Sequence, residues 1–143
     1  ELEAFPHFSR FASLNEMQEY LQKVLKQMEA AVQTATKKDA HILSIAKQYV
    51  QNNYNRDISM DEVAEMVSMS YSYFSRVFKE QLHQSFSEYV LSVRMREAKR
   101  LMEEDPAIKI KEVAELVGYE SVYTFSRAYK QYYHVSPKQD RDG

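Results

Sequence analysis

The chain has 143 residues, 44% of them hydrophobic and 13% aromatic, which is enough to bury one core or two small ones and excludes a disordered chain. It has no cysteine, which excludes disulfides, cysteine metal ligands and thiol nucleophiles and fits a reducing compartment; it also has no apolar run of bilayer length and no charged-then-apolar leader, so it reads as a soluble, cytoplasmic chain without a signal peptide. A formal net charge of −2 argues mildly against nucleic acid as a partner, because phosphate binders usually carry a basic excess. The first residue is Glu1 rather than Met, and the expectation is a fragment with an upstream portion removed. Glycine is confined to Gly118 and Gly143 and proline to Pro6, Pro106 and Pro137. Strand-type alternation is nowhere sustained, whereas spacings of three and four recur, so the fold class is all-α.

Residues 1–12 offer the aromatics Phe5, Phe8 and Phe11 without a period. Ser13 with Glu16 three positions on reads as a capping box that opens a helix. Leu14, Met17, Leu21, Val24, Met28, Ala31 and Ala35 then step by three and four, a heptad seam that Tyr20, Leu25 and Val32 widen. The seam suits either a coiled coil or an amphipathic helix lying on a neighbour. Thr36 to Asp39 reads as a polar hinge, followed by a second helix from Ala40 to about Asn53 with Ile42, Ile45, Ala46, Tyr49 and Val50 on its apolar face.

Ser59 and Glu62 make another capping box, opening a short helix through Val67 with Val63, Ala64 and Val67 inward. Only Ser68 and Met69 separate it from Ser70, a cap for the helix Tyr71 to about Gln81, and two short helices joined so tightly form a helix-turn-helix. Ser85 and Glu88 open a longer helix, Phe86 to about Glu103, which Asp105-Pro106 ends. Its positive charges are Arg94, Arg96, Lys99 and Arg100. A further pair of short helices follows, Ile110 to Val117 and about Val122 to Tyr133, with a turn at Gly118-Tyr119 and a cap at Ser121; Ser136-Pro137 starts a last turn.

These two pairs are copies of one unit. Glu62-Val63-Ala64-Glu65-Met66-Val67 returns fifty positions later as Glu112-Val113-Ala114-Glu115-Leu116-Val117, and Phe74-Ser75-Arg76-Val77-Phe78-Lys79 returns as Phe125-Ser126-Arg127-Ala128-Tyr129-Lys130. A duplicated unit presents one surface at two places and can meet a repeating partner such as duplex DNA twice. The copies differ at one cap: Lys109 stands where Ser59 opens the first, so the second opening is expected to be weaker by about 0.5–2 kcal/mol.

The residues Asp57-Ile58-Ser59, Ser70 to Lys79, Phe86-Ser87-Glu88-Tyr89, Arg94-Met95, Ala98-Lys99, Val117-Gly118-Tyr119, Phe125-Ser126-Arg127 and Val135-Ser136-Pro137 resemble the AraC-type transcription regulators. The resemblance implies two helix-turn-helix subdomains joined by a long linker helix and preceded here by an amphipathic or coiled-coil-like helix. On this basis residues 1–38 form an N-terminal linker or dimerisation segment, 39–84 the first subdomain, 85–105 the connecting helix and 106–143 the second subdomain. The second helix of each subdomain would enter a major groove of double-stranded DNA, the two about one helical turn, roughly 34 Å, apart. A connecting helix of this length spans about 27 Å at 1.5 Å per residue. Arg94 and Arg96 would brace the two units against each other or the backbone. RNA polymerase and a second copy, paired through the N-terminal helix, are the other implied partners.

With Phe74 and Phe78 anchoring the first such helix, Tyr71, Ser72, Ser75, Arg76 and Lys79 are the residues expected to meet DNA; with Phe125 and Tyr129 anchoring the second, they are Ser121, Val122, Tyr123, Ser126, Arg127 and Lys130. Arginine can fork onto guanine, serine can reach base edges or phosphate, lysine supplies charge to the backbone, and Val122 can touch a thymine methyl. The bland reading of Arg76 and Arg127 is a surface ion pair with Glu80 or Glu120. His83 and His134 stand where the family usually has glycine after the helix, a site that favours positive φ, and Asp140 stands where it often has an aromatic, which predicts a less firmly packed final turn. The four histidines have no metal-ligand spacing, and no metal or cofactor is expected.

The segment Phe8 to Leu14 with the helix after it resembles the one preceding this domain in AraC-type response regulators of two-component systems and in their membrane-anchored relatives, which implies a missing part that senses a signal; a sugar-sensing cupin-type regulator fits the second half equally well. The competing reading is an interaction module that pairs through the Leu14 to Ala35 stripe without nucleic acid. An enzyme of the DNA-alkyl-acceptor kind needs a nucleophilic cysteine that the chain lacks.

Overall fold

The computed structural model describes residues 11–143, and among them every regular element is helical: α1 (Leu14–Asn53), α2 (Met60–Met66), α3 (Tyr71–Leu82), α4 (Phe86–Glu104), α5 (Ile110–Leu116), α6 (Val122–Tyr133) and α7 (Pro137–Asp142). Phe5, Phe8 and the start of the segment running to Leu14 lie outside the described residues. No described helix is long and apolar enough to cross a membrane. The chain divides into two compact units, Glu1–His41 and Ile42–Gly143.

The hinge expected at Thr36 to Asp39 is absent, and α1 is one helix of 40 residues. The stretch holds neither glycine nor proline, and the hydroxyls of Thr34 and Thr36 donate back to the carbonyls of Ala30 and Val32 at 2.9 Å each, so polarity is absorbed inside the helix. Its start is capped by Ser13, whose hydroxyl accepts the Glu16 N–H at 3.2 Å, while the Glu16 carboxylate takes the N–H of Ala12 at 2.8 Å. Within the first unit the stripe is open to solvent: Leu14, Leu21, Leu25, Met28 and Val32 are all exposed.

The second unit has two cores. The first gathers Ile42, Leu43, Ala46 and Val50 from the end of α1, Val63 and Ala64 from α2, Phe74, Val77 and Phe78 from α3, and Phe86, Tyr89, Val90 and Val93 from α4. Phe78 is its hub, with ring centroids 5.8, 5.7 and 5.6 Å from Phe74, Phe86 and Tyr89. The second core gathers Met95, Ala98 and Met102 of α4 with Val113, Ala114, Val117, Phe125 and Tyr129. Thus α4 lends its first half to one core and its second half to the other. Tyr54, just past α1, packs against both.

Both helix-turn-helix corners are made alike. Ser68 at φ 56° and Gly118 at φ 97° take the left-handed conformation, and the next N–H, of Met69 and of Tyr119, returns to the carbonyl of Ala64 and of Ala114 at 2.9 Å. This is the hydrogen-bond pattern by which a left-handed residue closes a helix. His83 and His134 close α3 and α6 in the same conformation, at φ 56° and 65°, as the family's glycines there led one to expect.

The helix openings divide one capping box between the copies. Ser59 accepts the Glu62 N–H at 3.3 Å, but the Glu62 carboxylate turns away to Tyr49 and Arg56, so the reciprocal half expected from the sequence is missing. In the second copy Glu112 accepts the Lys109 N–H at 3.2 Å, and lysine has no acceptor to complete the exchange. Ser85 with Glu88 and Ser136 with Gln139 make full boxes.

The last turn is tied down by polar contacts at the position of its missing aromatic. Asp140 accepts the hydroxyl of the buried Tyr129 and lies 3.4 Å from the Lys99 ammonium, and Arg141 donates to the Ile108 carbonyl at 2.9 Å. Polar contacts to α4 and α6 replace the ring.

Candidate nucleic-acid interface

Helices α3 and α6 are built on the same plan. Ser70 and Ser121 cap them by accepting the N–H of Tyr73 at 3.3 Å and of Thr124 at 3.4 Å. Two aromatic anchors four positions apart, Phe74 and Phe78 in α3, Phe125 and Tyr129 in α6, are fully buried, which fixes the roll of each helix.

That roll decides what remains outside. On α3, Tyr71, Ser72, Arg76 and Lys79 are exposed and Ser75 is half-buried beside them. On α6, Val122, Tyr123, Arg127 and Lys130 are exposed, Ser126 is half-buried, and Ser121 is exposed at the cap. All the residues singled out from the sequence therefore lie on one or other of these two helices or at a cap, and none is in a core. Thr124, at the position corresponding to Tyr73, is also exposed; the repeat register could have pointed to it.

Among the described residues neither Arg76 nor Arg127 forms an ion pair with Glu80 or Glu120. Each guanidinium lies instead over a tyrosine of its own helix, Arg76 5.2 Å from the Tyr73 ring and Arg127 5.8 Å from the Tyr123 ring. A cation held over an aromatic face keeps its charge and its edge donors available, whereas a carboxylate partner would occupy them. The two copies differ in the platform: Tyr73 is half-buried, and Tyr123 is 69% exposed.

Between the two helix-turn-helix elements, Arg94 of α4 makes the contacts that the bracing role leads one to expect. Its Nε donates to the Tyr54 carbonyl at 2.7 Å and its Nη2 to the Arg56 carbonyl at 2.9 Å, while its guanidinium lies 5.4 Å from the ring of Tyr119. Burial raises the Tyr119 phenol above its ordinary value, and the nearby Arg94 opposes that rise. Arg96, by contrast, donates to the Ser92 carbonyl of its own helix, at 3.3 Å.

Arg56 continues the chain of contacts, reaching Glu62 of α2 at 3.3 Å and lying over the Tyr49 ring. The Tyr49 hydroxyl and Arg56 together hold the Glu62 carboxyl below its usual range. The sequence reading did not find this group, because its members come from α1, a loop and α2 with no periodic spacing. Among the described residues no cluster of His, Asp and Glu could hold a metal ion.

Two exposed, similarly capped and similarly charged helices, each the second of a helix-turn-helix and both packed on one connecting helix, define a tandem helix-turn-helix DNA-binding domain. The family model of a helix-turn-helix domain matches residues 63–143. The chain is similar to the C-terminal domain of AraT, a response regulator from Geobacillus stearothermophilus, at 36% identity and TM-score 0.67, covering 71% of this chain and 84% of that one. It is also similar to a transcriptional regulator with an AraC-type DNA-binding domain from Chromobacterium violaceum, at 25% identity and TM-score 0.67, covering 72% and 91%. Among curated proteins it is 30% identical over 95 residues to the Msm operon regulatory protein of Streptococcus mutans, 66% of this chain and 34% of that protein. The chain belongs to the AraC-type helix-turn-helix family of DNA-binding transcription regulators. It spans about a third of the length of that curated relative.

Proposed function

We propose that α3 and α6 each enter a major groove of duplex DNA and read a short box of base pairs, so that the chain binds a specific bipartite site in bacterial transcription control. The observation that carries this is the repetition, on two exposed helix faces, of a serine, an aromatic-supported arginine and a lysine in the same register: Ser75, Arg76 and Lys79, then Ser126, Arg127 and Lys130. Arg76 and Arg127 are the base readers, Lys79 and Lys130 neutralise phosphate, and Tyr71, Ser72, Ser121, Val122 and Tyr123 complete the contacts. The acidic balance limits the affinity of a single copy, and a second copy or a further domain supplies the rest. RNA polymerase is the partner such a bound regulator would address in the cytoplasm. The likeness to a response regulator's C-terminal domain supports a signal-receiving domain elsewhere in the whole protein.

Selection of bound sequences from a random DNA pool tests this reading. The expected product is a pair of boxes whose centres lie about 10 bp apart, with affinity falling by about 0.9 log units per log of salt for each phosphate neutralised. Recovery of unenriched sequence with a flat salt response would overturn it.

A second reading has its own support. The exposed Leu14, Leu21, Leu25, Met28 and Val32 suit pairing of α1 with a second copy, since Glu16, Glu19, Lys23, Lys26 and Glu29 fall outside the seam. Sedimentation of the chain beside a Leu21→Glu variant tests it: a wild-type dimer that becomes monomeric on substitution supports pairing, and a monomer in both cases rejects it.

A further inference from the structure

We propose that Arg94 is a positioning residue that sets the separation of α3 and α6, and hence the base-pair spacing the protein accepts between its two boxes. The proposal rests on the bipartite reading above for its DNA consequence, but its geometric part stands without DNA.

Only α4 joins the two helix-turn-helix elements covalently, and left-handed or irregular backbone flanks it at His83 and at Asp105. Each element packs its own core on α4, one on the first half and one on the second, with Tyr54 packed against both. Arg94 adds a direct polar tie between the elements by touching both sides at once. Its two edge donors, at 2.7 and 2.9 Å, seize the carbonyls of Tyr54 and Arg56, in the loop that leads into α2 and is tied to it through Glu62. Its guanidinium lies over the ring of Tyr119 in the corner of the second element, and the Tyr119 ring lies 5.6 Å from Phe125, the buried anchor of α6.

Gly118 completes the junction. Its Cα faces the backbone of Tyr54 and Asn55 so closely that a Cβ would stand 3.0 Å from each. The corner of the second element therefore sits directly on the loop of the first, with Arg94 alongside. Arginine suits the task because it offers a planar fork at its edge and a stacking surface on its face, whereas lysine offers a single point of charge. On DNA, inserting one base pair between the boxes moves one of them by about 3.4 Å along the axis and turns it by about 34° around it. A locked pair of helices cannot follow that shift; an unlocked pair can.

Two measurements on the full chain test this. The chain has no cysteine, so Glu80→Cys and Gln131→Cys, at corresponding exposed positions on α3 and α6 outside the proposed contacts, take a pair of spin labels cleanly. The distance distribution between them is expected to be narrow with Arg94 and broadened in Arg94→Ala. Binding to duplexes carrying the selected boxes at the selected spacing, and with one base pair inserted or removed, is expected to show a preference that falls by about tenfold in Arg94→Ala, a coupling of ordinary size. Should Arg94→Ala fail to fold, Arg94→Lys, which keeps the charge but cannot hold both carbonyls, is read by the same two measurements. An unchanged distance distribution, or an unchanged spacing preference in a variant that still binds, overturns the proposal. Failure of the wild type to bind any selected site would count against the bipartite reading instead, and the label distances would still decide whether Arg94 locks the helices.

Discussion

A Cβ on Gly118 would lie 3.0 Å from the carbonyl oxygen of Tyr54, and Gly118 also holds φ at +97°. Both constraints act on one residue, the close approach of two backbones and a conformation that L side chains rarely adopt. At the same corner of the first copy Ser68 carries the positive φ with a side chain and is exposed. The two corners therefore answer oppositely to exchange. Gly118→Ala is expected to lower stability by about 1–3 kcal/mol, and Ser68→Gly to raise it by about 0.5 kcal/mol as the left-handed strain outweighs glycine's entropy. Urea unfolding midpoints of the two variants check both signs; equal loss in both would refute the account.

The half-capped α5 gives a stabilising prediction. Lys109 brings no acceptor to the N–H of Glu112, although Glu112 already supplies the return contact. Lys109→Ser completes the box and is expected to add about 1 kcal/mol. Thermal or urea unfolding reads the gain, and no change would mean that α5 depends on packing alone.

For the proposed DNA contacts, the arginines and lysines are expected to separate by kind. Arg76→Ala and Arg127→Ala each cost about 1–3 kcal/mol of binding and relax preference within a different box. Lys79→Ala and Lys130→Ala weaken binding evenly across sequences and lower the salt slope by about 1 each. Quantitative binding to the selected site and to single-box mutants distinguishes these patterns. Sequence relaxation on loss of a lysine would reverse the assignment.

Alkali is expected to weaken the second core through Tyr129. Burial first, and then its hydrogen bond to Asp140, raise the phenol above its ordinary 10.0. A group whose folded value is raised contributes fully below the unfolded value, so stability is intact below pH 10 and declines as the pH climbs above it. Tyr54, Tyr119 and Tyr133 are shifted in the same direction, chiefly by burial, and add to the decline. Tyr129→Phe keeps the ring and should show a shallower loss between pH 8 and pH 11 in urea midpoints. An identical slope would show that Tyr129 is not a source of it.

Local rules made much of this legible. Ser70, Ser85, Ser121 and Ser136 cap the helices they were expected to cap, because a cap needs only a side-chain oxygen and an N–H two or three residues on. Phe74, Phe78, Phe125 and Tyr129 are buried where helical spacing puts them. The failures share a cause. Thr36 to Asp39 looked like a hinge by polarity, but a threonine hydroxyl can bond within its own helix. Glu62 looked like half of a capping box until Tyr49 and Arg56 offered it better partners from outside its own turn. Asp140 looked like a loss of packing, and Tyr129 and Lys99 make it a tether.

The amino-acid order by itself determined helices α2 to α7, the duplication and the faces left outside each repeated element, since all of these follow from spacings of a few residues. Tertiary structure alone decided how the two copies are locked together. Arg94 finds its acceptors 40 and 38 positions away, and they are main-chain carbonyls, which every residue carries and no residue type advertises. Only the packing of Tyr54 between two cores and the bare Cα of Gly118 bring those carbonyls within reach.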